Sequence, residues 1–263
     1  MKATFPSLGA CLAATLLASA PSARASVLAY ESSSSDFGMI DLTTGQYTFI
    51  GNTGQVLAGL GNYGGALYAG VNTSTGFYQV NPANGSLTFI GDGGVPIVAT
   101  GSTTGGVYEL GFNDNLYSVN LTNGALTLIG NTGIPIASPT GMSANGPNLY
   151  INSQSNLYLV NTSTGNASLV GSTSPAQFGT MVYIDGMYYA GAATGSPFDI
   201  FTFDPNTADV TSSLDSNSPL FWGLAPAVTP LPATLPLFAT GLGVMGLFGW
   251  RRKRKKAAAL AAA

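Results

Sequence analysis

Eleven carboxylates are the only side chains between Ser26 and Trp250 that ionise near neutral pH. They are Glu31, Glu109 and nine aspartates, and all lie between Glu31 and Asp215. No histidine occurs anywhere, and that stretch contains no lysine or arginine, so its side-chain charge is −11 although the whole chain nets −3. Phosphate cannot be neutralised without cations, which excludes nucleic acid as a partner. Ser-His-Asp and Cys-His nucleophiles, Schiff-base lysines, arginine clamps and His-ligated zinc are excluded on the same inventory. Carboxylate pairs, oxygen-ligand cation binding, or no chemistry remain. Two carboxyls performing glycoside hydrolysis must stand roughly 5–9.5 Å apart across a cleft, so what matters is which elements hold the acids.

Those elements come from a repeat. Phe49-Ile50-Gly51 recurs as Phe89-Ile90-Gly91, Leu128-Ile129-Gly130 and Leu169-Val170-Gly171, with the glycines 40, 39 and 41 residues apart. Upstream in each copy stands a turn: Asp41 to Gly45, Asn81 to Gly85, Asn120 to Gly124 and Asn161 to Gly165, with a worn fifth copy at Asp204 to Ala208. In one unit Ala66–Gly70, Phe77–Val80 and Leu87–Ile90 are rich in β-formers, and Asn-Gly and Thr-Gly supply the positive φ that tight hairpins need. A period near 40 with short strands is the signature of a propeller blade. The first copy, beginning at Val27-Leu28-Ala29-Tyr30, lacks its innermost strand, and Phe221-Trp222-Gly223-Leu224-Ala225 resembles the missing piece through Leu57-Ala58-Gly59-Leu60. The expected fold is therefore all-β: a five-bladed propeller whose C-terminal strand completes the first blade, which removes free sheet edges.

Three sets of residues within the repeat invite a functional reading. Asp41, Asn81, Asn120, Asn161 and Asp204 share one position. Oxygen ligands at regular spacing suit Ca²⁺, but such side chains ordinarily cap their own turns, and no specific Ca²⁺ site is assigned. Tyr30, Tyr68, Tyr108, Tyr150 and Tyr188 are read as one tyrosine per blade, placed to fill the space between blades. Five-bladed propellers include glycosidases with paired carboxylates, which makes Glu31 and Glu109 worth locating by fold analogy alone. No residue is assigned a catalytic, cofactor-binding or metal-ligating role.

Outside the repeat both ends read as targeting segments. Residues 1–25 form a secretory signal peptide: Lys2, a small apolar stretch from Leu8 to Ala20, then Ala23-Arg24-Ala25 before a cleavage between Ala25 and Ser26. Leu8 to Cys11 also matches a lipobox, but the apolar run before Cys11 is short and holds Pro6. Cys11 is the only cysteine and would leave with that peptide, so the exported chain has no disulfide and depends on its core. The repeat domain spans 26–225 and a Pro-rich linker 226–234. From Leu235 to Trp250 an apolar run gives the one helix expected here; counted from Leu231, the uncharged stretch reaches the length needed to span about 30 Å of hydrocarbon. A basic tail fills 251–263, opening with Arg251, Arg252, Lys253, Arg254, Lys255 and Lys256, which hold the C-terminus in the cytoplasm and put the repeat outside.

The order of Pro230-Leu231-Pro232, apolar helix and basic cluster resembles the PEP-CTERM sorting signal, with Leu231 in place of the name-giving Glu and Leu237-Phe238-Ala239-Thr240-Gly241-Leu242 matching the helix of that family. The resemblance implies an exported bacterial protein processed by an exosortase-type enzyme: first an inner-membrane intermediate, then a component of the cell surface or medium. It covers about the last 30 residues. Two readings of the whole chain follow. One is a non-enzymatic surface or matrix protein that binds within or near extracellular polysaccharide. The other is a secreted carbohydrate-active hydrolase on the same propeller.

Overall fold

The computed structural model describes residues 26–227 apart from 73, 137–139, 175–176, 193–198 and 220–221. The signal peptide, Ala25, Phe221, the motif at Pro230, Leu231 and Pro232, the apolar run 235–250 and the basic cluster lie outside the described residues. Among the described residues all regular structure is strand, and no helix is long and apolar enough to cross a membrane.

Twenty strands form five four-stranded antiparallel sheets. The first blade holds β1 (Leu28–Ser33), β2 (Asp36–Asp41) and β3 (Gln46–Asn52), and the second β4 (Gly61–Tyr63), β5 (Ala66–Gly70), β6 (Gly76–Val80) and β7 (Leu87–Asp92). The third comprises β8 (Ile97–Thr103), β9 (Gly106–Gly111), β10 (Asn115–Val119) and β11 (Leu126–Asn131). The fourth comprises β12 (Thr140–Asn145), β13 (Asn148–Ser153), β14 (Asn156–Val160) and β15 (Ala167–Ser172). The fifth comprises β16 (Phe178–Ile184), β17 (Met187–Ala192), β18 (Asp199–Phe203) and β19 (Val210–Asp215), after which β20 (Gly223–Pro226) returns to the first. It pairs antiparallel with β1, Ala29 opposite Pro226 and Glu31 opposite Leu224. The ring is thus the five-bladed propeller expected from the repeat, closed by its C-terminal strand.

Each sheet buries both faces because a blade is sandwiched between neighbours, so its strands read as apolar runs. Four buried clusters map to four junctions. Leu110, Met142 and Ile151 lie between the third and fourth blades, and Tyr150, Met181 and Phe203 between the fourth and fifth. Phe37, Leu57 and Val80 fill the junction of the first and second blades, and Ile40, Ile200 and Leu224 that of the fifth and first. Burial of one such side chain stabilises by roughly 1.5–3 kcal/mol.

The repeated glycine has a physical cause that periodicity alone did not supply. A Cβ on Gly51 would collide with the carbonyl oxygen of Asn84, on Gly91 with that of Asn123, on Gly130 with that of Thr164 and on Gly171 with that of Thr207. The outer strand of each blade therefore ends against the turn of the next, backbone on backbone. In the fifth blade the contact closes on the first: Gly45 lies against the Asp215 carbonyl, Asn217 donates its N–H to Gly45 O at 3.1 Å, and Tyr47 N–H donates to Asn217 Oδ1 at 2.6 Å. The circle is closed twice, at the axis and at the rim.

Register corrects one assignment. Tyr188 faces Phe203, as Leu149 faces Val160, whereas Tyr189 faces Thr202 in the place where Tyr150 faces Leu159. The repeated tyrosine of the fifth blade is Tyr189; Tyr188 is a fully buried core residue. Adjacent identical residues concealed a one-residue slip, which in a strand reverses the face. Tyr30, Tyr108, Tyr150 and Tyr189 pack at blade junctions, and Tyr68 stacks on Phe77.

Because Gly91 meets backbone, Gly91→Ala is expected to destabilise by about 1–3 kcal/mol, the usual range for overpacking. Leu128→Ala, at an exposed outer-strand position, should change stability by less than about 0.5 kcal/mol. Urea midpoints of the two variants check this, and equal midpoints would refute the backbone contact.

Candidate functional site

The five inner strands β4, β8, β12, β16 and β20 surround the axis. Their C-terminal ends open into a funnel of about 430 Å³. Its floor is Leu60, Met142, Val182 and Leu224, and its wall carries Asn62, Tyr63, Ser102, Ser143 and Tyr183, with Pro226 at the lip. Two hydrogen bonds hold the wall: Ser102 Oγ donates to the Asn62 carbonyl at 2.8 Å, and Asn62 Nδ2 donates to the Pro226 carbonyl at 3.1 Å. No ionisable group other than the two tyrosines lines the funnel. Its surface is uncharged, half polar and half apolar, with two phenol rings. These residues went unremarked in the sequence. Tyr63 and Tyr183 do not fall at the repeated tyrosine position; the available signal was a tyrosine just ahead of a glycine turn (Gly64-Gly65, Asp185-Gly186).

The two glutamates share one repeat position without facing each other across this opening. Glu31 stands opposite Gly38 and Glu109 opposite Tyr117, where other blades have Ala69, Ile151 and Ala190. Both are buried, and neither lines the funnel. Glu109 lies against Gly70 of the second blade beside the Thr100 hydroxyl, at the junction that holds none of the four apolar clusters. Gly70 makes the room, since a Cβ there would strike Glu109 Oε1. Its N–H donates to Thr100 Oγ1 at 3.0 Å, so Glu109 Oε1 is left without a partner. Glu31 Oε1 accepts from the Ser218 hydroxyl, tying β1 to the segment that leads into β20, while Oε2 has no partner. Burial pushes both carboxyls up to about 8, opposed at Glu31 by the Ser218 bond. An unpaired buried carboxylate is costly, so the neutral acid is the form that fits here.

The other candidate positions are structural. Asp41 Oδ1 accepts from Thr43 N–H at 2.8 Å, and Asn81 Oδ1 from Ala83 N–H at 2.9 Å. Asn120, Asn161 and Asp204 do the same two residues on, at 2.9, 2.8 and 2.8 Å. Each oxygen proposed for Ca²⁺ thus caps its own turn, and among the described residues no group of three or more acids converges. One carboxylate pair escaped the sequence reading. Asp199 opens β18 directly opposite Asp215 at the end of β19. Partial burial, then the neighbouring Asp215 charge and a hydrogen bond with it, raise the Asp199 carboxyl above its ordinary range. Cross-strand register brings the two together, where Asn115 faces Asn131 in the third blade.

The arrangement defines a β-propeller with a neutral axial funnel. Among solved structures it is similar to a chain of a nidogen/laminin complex, with 9% identity and a TM-score of 0.56 over 78% of this chain and 100% of that one. It is also similar to a Bacteroides thetaiotaomicron protein of unknown function, at 16% identity and a TM-score of 0.52, covering 73% of this chain and 58% of that one. A weaker likeness is to Myxococcus xanthus glutaminyl cyclase, at 16% identity and a TM-score of 0.48 over 62% and 71% of the two chains. Such identities establish the fold alone. No protein-family model and no curated protein matches the chain.

The buried glutamates make stability depend on pH with a definite sign. Their folded pKa lies above the unfolded value of 4.5, so between about 4.5 and about 8 the folded state holds more protons and stability falls as pH rises. The expected result is a higher Tm at pH 5 than at pH 8. Glu109→Gln, alone and with Glu31→Gln, should flatten the slope; an unchanged slope in the double variant would refute the assignment.

Proposed function

We propose that the chain is an exported bacterial surface or matrix protein, sorted through its C-terminal segment and acting by binding rather than catalysis. The observation that carries this reading is where the ring closes. β20 ends at Pro226, and Ala227 N–H donates to the Leu28 carbonyl at 3.1 Å. Every strand of the propeller precedes the Pro230-Leu231-Pro232 motif. A cut at the motif would release a complete ring, whereas a closure strand placed beyond the motif would be lost with the tail. An exosortase-type enzyme is the partner expected at that motif, with the run 235–250 spanning the membrane and Arg251 to Lys256 in the cytoplasm.

The funnel indicates what would be bound. Its uncharged wall neither pairs with an anion nor repels one, and its tyrosines and Ser/Asn groups complement a ligand having both apolar faces and hydroxyls. Neutral polysaccharide is such a ligand, consistent with a place in or near extracellular polysaccharide. The absence of a facing carboxylate pair in the lining supports binding over hydrolysis. No cofactor is invoked.

Intact mass of the native protein, taken separately from membrane and medium, tests the sorting. The expected medium species begins at Ser26 and ends before Leu235. Finding only full tails ending at Ala263 in the membrane would overturn processing. For the funnel, calorimetric titration with cellopentaose and maltopentaose, against tetragalacturonate as the anionic control, should show binding of a neutral sugar. Tyr63→Ala and Tyr183→Ala are each expected to weaken that binding about tenfold, the scale of a lost aromatic–sugar contact of 1–1.5 kcal/mol. Binding that survives both substitutions would place the ligand elsewhere.

A further inference from the structure

Both ends of the propeller leave it at one place. The five inner strands run the same way; Gly59 and Thr100 form a parallel bridge between the approach to β4 and β8. Their C-terminal ends form the funnel mouth, so β20 arrives there last, with the Pro226 carbonyl bonded to Asn62 in the funnel wall. The chain that follows Pro226 therefore starts at the lip of the funnel. Nine residues separate Pro226 from Leu235, where the apolar run begins. Fully extended they reach about 30 Å, and Pro-rich chain reaches less. The tether is attached beside the axis of one face and is short compared with the breadth of a five-bladed ring.

Charge points the same way. Five of the nine aspartates stand at the opposite ends of the blades: Asp36 and Asp199 open β2 and β18, Asp114 lies in the turn before β10, and Asp92 and Asp215 end β7 and β19. Around the mouth the turn between β16 and β17 carries Asp185, and the funnel wall carries none. Carboxylates are disfavoured against anionic lipid headgroups, and the face with fewer of them meets a bilayer at lower cost.

We infer that the funnel mouth is the membrane-facing surface of the anchored chain, covered by the bilayer while the tail is held and opened when the 227–234 segment is cut. This rests on the reading that residues 235–250 span the membrane. It makes sorting and binding one sequence of events: the tethered precursor is closed to polymeric ligands, and the released ring is open to them. Nothing inside the propeller has to move, because the covering surface is the membrane itself.

Cysteine labelling of the full chain tests the orientation. In a Cys11→Ala background, Thr104→Cys marks the exposed turn at the mouth and Gln55→Cys the exposed loop on the far face. In spheroplast membranes, a PEG-maleimide of about 5 kDa should react at Gln55→Cys at least about fivefold faster than at Thr104→Cys, after normalising each to a small maleimide. Inserting about thirty Gly/Ser residues after Ala227 adds a coil of roughly 30 Å r.m.s. length and should bring the ratio near one. Equal rates with the native linker would overturn the orientation while leaving the anchor intact. Extraction by alkaline carbonate distinguishes the other failure: a chain washed off the membrane would sink the spanning segment and this inference with it.

Discussion

Closure of the ring is the constraint on which the rest depends. A single four-stranded blade has two apolar faces and no means of burying them; only neighbours on both sides do so. Four repeats and a fragment would leave two bare faces unless the last strand found the first. The pairing of β20 with β1, and the rim contact of Asn217 with Gly45 and Tyr47, meet that need at the axis and at the circumference. Without a disulfide, these contacts and the junction cores hold a domain that works outside the cell on the reading developed above.

The same geometry explains where irregular residues are tolerated. Four junctions are apolar, and the one between the second and third blades accepts Glu109 because Gly70 leaves a space for the carboxyl. Glu31 is accepted where Ser218 reaches it on the way into the closure strand. Both acids lie in the walls between blades, away from the axial opening where a hydrolase would need them. The position on the second strand decides this: a side chain there is aimed at the adjacent blade. The funnel is lined instead by the inner strands, whose exposed residues carry no acid or base.

Function in such a ring follows from what the two ends of the axis present. One end holds the funnel, a sparsely charged rim and both chain termini; the other holds most of the acidic residues. A propeller closed by its final strand releases its tail beside that strand, so tail and funnel share a face for topological reasons. Orientation at a membrane is then a consequence of how the ring is sealed.

Much of the fold was legible in the residues. The 40-residue period, the Asx turns and the missing first strand specify five blades and their closure, because local turn chemistry and a β-rich pattern repeat in register along the chain. The charge inventory limits the chemistry for a comparable reason: a side chain that is absent cannot be supplied by folding. Export and sorting are likewise read from linear segments that targeting machinery recognises as sequence. Tertiary structure decided the rest. That the repeated glycine meets the next blade's carbonyl, that Tyr189 and not Tyr188 continues the tyrosine series, that Asp199 faces Asp215 and that Tyr63 and Tyr183 share one funnel all depend on register and on contacts across blades. Those pairs lie far apart in the chain or differ by a single strand position, and a sequence read one residue at a time carries no measure of either.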